Sequence, residues 1–121
     1  DTMVFLDNDR LGKPHDEDDA LRMLRELAGR GHTVCTGVSV RRGETSELFA
    51  VSTRVFFRPA TDDEIRAYIK TGEPMDKAGA YGVQSRGALF VERIDGDFFN
   101  VMGLPVEQLG LVLARFGVKL L

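Results

Sequence analysis

Polar residues that could do chemistry occur at three places along the chain. Asp1 and Thr2 stand at the entry to a short apolar run, Arg10 precedes a Gly12-Lys13-Pro14 turn, and a glycine-punctuated segment spans 73–84. Each has an ordinary explanation by itself: a solvated terminus, a turn, and the end of a helix. Together, carboxylates and lysines in loops at strand and helix ends form a plausible phosphate and metal site. The pattern therefore favours a site for a small polyanion.

Other common sites find little support in the sequence. The run Gly79-Ala80-Tyr81-Gly82 lacks the glycine spacing of a P-loop or a dinucleotide-binding fingerprint. His15 and His32 have no Cys or His partner at the spacing of a structural zinc site. The serines have no nucleophile-elbow context.

The composition is that of one soluble domain. The chain has 121 residues, 16 basic and 19 acidic side chains, and a net charge of −3. This charge disfavours non-specific nucleic-acid binding, which needs a broad basic surface. No apolar run approaches the length of a membrane span, so no membrane association is expected. The single cysteine, Cys35, fits a reducing compartment, and its apolar surroundings predict a small buried residue.

Hydrophobic periodicity predicts alternating strands and helices. A buried strand is expected over Met3–Leu6, a polar loop over 7–15, and an amphipathic helix from about Asp16 to Ala28, with Ala20, Leu24 and Leu27 on one face. Two alternating runs around a polar turn at 42–46 predict an antiparallel hairpin, which ends near Phe57.

The second half of the chain continues this alternation. Thr61 to Glu64 has the pattern of a capping box, and the helix that follows should stop at Gly72 and Pro74. A loop over 72–87 should lead into a strand over 88–94, and Pro105 should begin a last helix. Alternating helices and strands that include a hairpin imply an α/β domain with a mixed sheet.

Several of these segments match a known family in order and spacing. Asp1-Thr2-Met3-Val4 resembles the Ala-Asp-Thr-Val-Val strand of Maf proteins, entered one residue late, and Gly12-Lys13-Pro14 resembles their Gly-Lys-Pro loop. The most specific matches are the segments over 72–84 and 94–105, which read GEPMDKAGAYGVQ and IDGDFFNVMGLP. The resemblance extends over essentially the whole chain.

The resemblance implies a fold, an activity and a set of partners. The expected fold is α/β, one elongated domain with a mixed sheet flanked by helices, of the Maf/ITPase-like type. The expected protein is a cytoplasmic nucleoside triphosphate pyrophosphatase that needs a divalent metal, Mg²⁺ or Mn²⁺, and members are often homodimers. The Ala-Tyr-Gly-x-Gln form of residues 80–84 is similar to the branch that prefers dTTP and UTP.

The resemblance also assigns roles to particular residues. Asp1 corresponds to the proton acceptor and is also expected at the metal. Thr2 and Gln84 correspond to positions that influence substrate choice, and Lys13 and Lys77 correspond to phosphate contacts. Chemistry is consistent with this assignment, because water attack at the α-phosphorus needs a base and the pyrophosphate leaving group needs cations.

Two departures from the family pattern accompany this match. The family's first segment, a Ser followed by paired arginines, has no counterpart here, so the domain over residues 1–121 is expected to be N-terminally incomplete. In addition, Ser85 and Arg86 follow Gln84 where a Gly is more common. The alternative function is a non-catalytic nucleotide-binding regulator of cell division, which would hold nucleotide without releasing pyrophosphate.

Overall fold

A five-stranded sheet forms the centre of the protein. The computed structural model describes residues 1–121, and the strand order is β2-β1-β3-β4-β5. The strands are β1 (Thr2–Leu6), β2 (Asp9–Leu11), β3 (Gly31–Arg42), β4 (Thr45–Phe57) and β5 (Val91–Asp95). The α/β class is as predicted, but every strand pair is antiparallel, so the expectation of a mixed sheet is wrong.

Tight turns explain the antiparallel pairing. Arg42 pairs with Thr45, which leaves Gly43 and Glu44 as the turn of the long β3–β4 hairpin. Gly43 adopts a φ of 60°, a conformation that glycine reaches at little cost. Leu6 likewise pairs with Asp9, so part of the segment predicted as a polar loop is the edge strand β2. Only Leu11 of that strand is buried, and one buried residue gives no periodic signal.

Helices cover one face of the sheet. Helix α1 (Glu17–Leu27) begins at Asp16, whose carboxylate accepts a hydrogen bond of 2.8 Å from the Asp19 amide. Helix α2 (Asp62–Ile69) begins at the predicted capping box. The apolar faces of both helices contribute to a core of 18 buried residues, including Leu24, Leu27 and Ile65. None of the helices has the length and apolar character needed to cross a bilayer.

The segment between α2 and β5 is built from 3₁₀ turns. They span Glu73–Asp76, Ala78–Ala80 and Arg86–Phe90. The last turn includes the first three residues of the strand predicted over 88–94, so that strand begins later than expected. Phe90 is buried among aromatic side chains from α2 and β4, and this tertiary packing overrides its strand propensity.

Two helices follow β5. Helix α3 (Phe98–Met102) was not predicted, because five residues are too few to show a helical period. Helix α4 (Val106–Arg115) follows Pro105 as expected.

On the second face of the sheet, Cys35 is only half-buried, so the prediction that it is a buried residue is wrong. Its strand alternates, and the neighbouring Val34 and Thr36 take the covered positions.

Candidate active site

One cavity brings the predicted site residues together. It has a volume of about 500 Å³ and lies beside the start of β1, between the segment over 73–85 and helix α3. Its lining includes every residue that the sequence singled out for a role: Asp1, Thr2, Lys13, Lys77 and Gln84. These residues come from distant parts of the chain, so their convergence depends on the sheet and on the loops that connect it. Arg10, from the same loop as Lys13, is absent from the lining.

Strand β3 holds the first two residues in place. The Asp1 amino group donates to the Gly37 carbonyl oxygen at 2.9 Å, and the Gly37 amide donates to the Asp1 carbonyl oxygen at 2.9 Å. The backbone of Asp1 is thus fixed as an extension of the strand pair, while its carboxylate accepts no hydrogen bond within the chain. An exposed carboxylate on a fixed backbone is free to bind a cation or a water molecule.

A backbone hydrogen bond joins the two lysine-bearing loops. The Gly79 amide donates to the Gly12 carbonyl oxygen at 3.1 Å, which sets Lys13 beside the segment that carries Lys77. Gly79 has a φ of 73°, and a Cβ there would lie 2.9 Å from a methyl carbon of Val4. Glycine therefore permits both the backbone conformation and the close approach to β1.

Lys77 projects over a second glycine. A Cβ at Gly82 would lie 2.7 Å from the Lys77 Cε, so the lysine stem occupies the space that a side chain would take. The Lys77 Nζ lies 3.2 Å from the Asp76 carboxylate, and both side chains are substantially exposed to solvent. Exposed pairs of this kind contribute little stability, so the ammonium group can exchange Asp76 for a phosphate oxygen at small cost.

Glu73 organises the segment that carries Lys77 and Gln84. Its carboxylate accepts hydrogen bonds from the Tyr68 hydroxyl, from the Gly87 amide at 3.1 Å and from the Arg86 amide at 3.3 Å. The Tyr68 hydroxyl in turn accepts one from the Gly82 amide at 3.0 Å. One carboxylate thus ties both ends of the segment to α2.

The ionised form of Glu73 is favoured by these bonds. Partial burial raises the pKa of Glu73, but hydrogen bonds from Ser85, Tyr68 and the Gly87 and Arg86 amides outweigh it and hold the pKa below its ordinary value. Burial raises the pKa of the Tyr68 hydroxyl, and so does its hydrogen bond with Glu73. Tyr68 therefore remains a neutral donor toward Glu73.

A buried imidazole anchors the middle of the same segment. The His32 Nε2 atom on β3 lies 2.7 Å from the Tyr81 hydroxyl, and His32 is fully buried. Phe57 packs edge-on against both rings, with centroids 5.0 Å from His32 and 4.7 Å from Tyr81. Burial lowers the pKa of His32 to about 4, with a smaller contribution from the positive charge of Arg54. This histidine is a neutral structural group.

Helix α3 closes the cavity on the opposite side. Its residues Val101 and Met102 line the cavity. The fully buried Asn100 holds the helix to the sheet, because its amide nitrogen donates to the Val34 carbonyl oxygen at 3.2 Å and to the Thr53 hydroxyl at 3.0 Å.

Reasoning from the sequence did not identify Glu73, Thr36 or Asn100 as residues that shape the site. Glu73 lies within the polar segment over 73–84 that the sequence singles out, but it has no role of its own there, and Thr36 lies in the first alternating run of the predicted hairpin. Both depend on contacts with distant segments, which leave no local pattern. A polar residue at a covered strand position, as at Thr36, is the one signal that could have been followed.

No group of three or more His, Cys, Asp or Glu side chains is placed to hold a metal ion. Three carboxylates line the cavity, those of Asp1, Glu73 and Asp76. Glu73 is engaged by its donors and Asp76 pairs with Lys77, so Asp1 is the carboxylate without an internal partner.

Comparison with known proteins decides the family. The model of the family described as Maf-like protein matches residues 1–116. The chain belongs to the Maf family. A dTTP/UTP pyrophosphatase of Bacillus velezensis is 52% identical over 119 residues, which are 98% of this chain and 63% of that protein. Proteins of the same name from Dictyoglomus turgidum and Chromobacterium violaceum are 49% and 50% identical, over 100% and 99% of this chain.

This Maf chain is shorter than those relatives. It spans 64% of the length of the Dictyoglomus turgidum protein and 61% of that from Chromobacterium violaceum. Family membership is therefore shown over nearly the whole chain, while the activity of the longer relatives is a property of proteins that contain more residues.

Proposed function

We propose that this chain forms the nucleotide-binding part of a pyrophosphatase that hydrolyses nucleoside triphosphates to monophosphate and pyrophosphate. The preferred substrates are dTTP and UTP, the nucleotides in the names of the relatives, or modified pyrimidine nucleotides. The observation that carries the proposal is the convergence of Asp1, Thr2, Lys13, Lys77 and Gln84 on one cavity of about 500 Å³.

In the proposed reaction, water attacks the α-phosphorus. The Asp1 carboxylate orients the water and accepts its proton while the bond from the α-phosphorus to the oxygen that leads to the β-phosphorus breaks. Lys13 and Lys77 neutralise the negative charge that gathers on the departing pyrophosphate. The Gln84 amide has both a donor and an acceptor, which matches the edge of a pyrimidine.

A divalent cation would be bound jointly by Asp1 and by the phosphates of the substrate. Magnesium is typically bound by one or two carboxylates together with substrate phosphates, and Asp1 is the carboxylate available for that. When bound there, Mg²⁺ or Mn²⁺ would polarise the phosphate oxygens and lower the pKa of a bound water. Cytoplasmic location and assembly as a homodimer belong to the same proposal.

The proposal is tested by turnover. The chain, with the upstream segment of the Bacillus velezensis relative joined before Asp1, would be incubated with a panel of nucleoside triphosphates and Mg²⁺ or Mn²⁺. The Bacillus velezensis relative is the positive control, and phosphorus NMR would identify the products. Pyrophosphate and monophosphate are expected. Asp1→Asn and Lys77→Ala should reduce turnover at least about a hundredfold, whereas Asp9→Asn and Lys70→Ala, exposed residues outside the cavity, should not.

Two results would contradict the proposal. Inorganic phosphate together with nucleoside diphosphate would mean that a different bond is cleaved. Nucleotide binding without any turnover would favour the alternative, a non-catalytic nucleotide-binding regulator of cell division.

A further inference from the structure

Thr2 and Thr36 form a pair of hydroxyl groups at the edge of the cavity. They stand directly opposite each other in the register of β1 and β3, and their Oγ1 atoms lie 3.0 Å apart. Thr2 is half-buried and lines the cavity, whereas Thr36 is 1% exposed. In such a pair either hydroxyl can be the donor, and the surroundings decide which one is.

The backbone of α3 decides the direction of this hydrogen bond. The Thr36 Oγ1 atom also lies 3.0 Å from the Asn100 carbonyl oxygen, which has no hydrogen to give. The single hydroxyl hydrogen of Thr36 is therefore committed to Asn100. Both residues are buried, so water does not compete for either group. It follows that the Thr2 hydroxyl donates to Thr36.

The Thr2 hydroxyl consequently has only lone pairs left for the cavity. An oxygen in this state can accept a hydrogen bond from a ligand, but it cannot donate one to the unprotonated oxygens of a phosphate. The two lysines of the cavity are suited to phosphate, so the acceptor at Thr2 is left for the nucleoside part of the ligand.

We propose that Thr36 fixes the polarity of the Thr2 hydroxyl, and that Thr2 thereby selects nucleotides whose base carries an N3–H donor. Uracil and thymine have this donor, whereas cytosine has a lone pair at N3 that would face the lone pairs of Thr2. The inference rests on the proposed function, in that the ligand is a pyrimidine nucleotide. Thr36 acts through Thr2 and is a positioning residue.

The test compares the binding of nucleoside monophosphates, which does not depend on turnover. NMR titration of the whole chain would give dissociation constants for UMP, CMP, 3-methyl-UMP and 2′,3′-dideoxy-UMP. The wild-type chain should bind UMP at least about tenfold more tightly than CMP or 3-methyl-UMP, the factor that corresponds to one hydrogen bond. Dideoxy-UMP should bind nearly as well as UMP.

The decisive variant is Thr36→Val, which keeps the shape of the side chain and frees the Thr2 hydroxyl to donate. CMP should then bind more tightly than it does to the wild-type chain, so the preference for UMP should fall about tenfold. Thr36→Ser should restore it, because serine can also donate to Asn100. Thr53→Val is the matched control, since Thr53 is a buried threonine that contacts Asn100 without touching Thr2.

Three results would overturn the inference. Equal weakening of UMP and CMP in Thr36→Val would mean a purely structural role, and loss of the preference in Thr53→Val would mean the same. A penalty for dideoxy-UMP but not for 3-methyl-UMP would assign the Thr2 acceptor to a sugar hydroxyl. A wild-type chain that prefers UMP but, once joined to the upstream segment, releases no pyrophosphate from UTP would support this inference and contradict the proposed function.

Discussion

The segment over 72–87 is held at two places by groups of opposite character. At its ends, close to solvent, the ionised carboxylate of Glu73 accepts hydrogen bonds from backbone amides and from a hydroxyl group. At its middle, the uncharged imidazole of His32 holds Tyr81 in the core. The polar anchor, Glu73, depends on an ionised group, whereas the apolar anchor, His32, depends on a neutral one. The stability that each contributes should therefore respond differently to pH and to mutation. The segment therefore has one polar anchor and one apolar anchor, and Lys77 and Gln84 of the candidate site lie between these contacts.

The largest expected effect is the loss of stability caused by a methyl group at Gly87, whose amide donates a hydrogen bond to Glu73. A Cβ at Gly87 would overlap the Gly82 carbonyl oxygen and would lie 2.7 Å from the Tyr68 hydroxyl. Gly87→Ala should therefore lower the free energy of unfolding by about 3 kcal/mol, because the obstructing atoms belong largely to the backbone and cannot rotate away. Urea denaturation would measure the change.

The matched substitution is Gly110→Ala. Gly110 lies within α4, and a Cβ there would meet no atom within 4 Å. Alanine should be neutral or should stabilise the helix by up to about 1 kcal/mol. If both substitutions cost the same, steric conflict at Gly87 is not the cause.

The next effect comes from removing the charge at Glu73. Glutamine has nearly the same shape as glutamate, but its side chain has only one acceptor oxygen. The donors around Glu73 contact both oxygens of the carboxylate. Glu73→Gln should lower the free energy of unfolding by about 2 kcal/mol, since amides and a hydroxyl lose a charged partner. The amide resonances of Gly82, Arg86 and Gly87 should shift in the NMR spectrum.

The control for this variant is Glu92→Gln, at an exposed position of β5. That change should alter stability by less than about 0.5 kcal/mol.

Stability should also fall in the wild-type protein as the pH drops below the ordinary pKa of a glutamate, because the pKa of Glu73 is lowered in the folded state. An unchanged acid response in Glu73→Gln would show that other carboxylates are responsible.

Parts of this fold and site could be predicted from the sequence, and the reason is local chemistry. The spacing of Ala20, Leu24 and Leu27 defines α1, and the Thr61–Glu64 capping box defines the start of α2. The residues of the cavity were found through family motifs rather than through geometry.

What could not be predicted depends on contacts between distant segments. The bonds from Glu73 to residues at 86 and 87 and the packing of Phe90 arise only after the chain has folded. The same holds for Asn100, whose helix is too short to show a period and whose partners lie on β3 and β4.

The smallest effect concerns the apolar anchor and is a dependence on pH. His32 has a pKa of about 4 in the folded protein and an ordinary value near 6.5 in the unfolded chain. As the pH falls through 6.5, the unfolded chain takes up a proton that the folded protein does not, so stability is lost as the pH falls toward 4. Between pH 6 and pH 5 the loss should be about 1 kcal/mol. This pH range lies above the one in which carboxylates titrate. The contribution of His32 to the pH dependence of stability can therefore be measured separately from that of Glu73.

Replacing His32 with glutamine should flatten the stability profile between pH 6 and pH 5, because the proton uptake disappears, even though the variant is less stable at every pH. His15, which is exposed in the loop before α1, is the matched control, and His15→Gln should keep the wild-type slope. Urea denaturation at several pH values would measure these slopes. A wild-type slope that persists in His32→Gln but is lost in His15→Gln would mean that the buried imidazole does not carry the dependence, and the contrast between a charged anchor and an uncharged one would then fail.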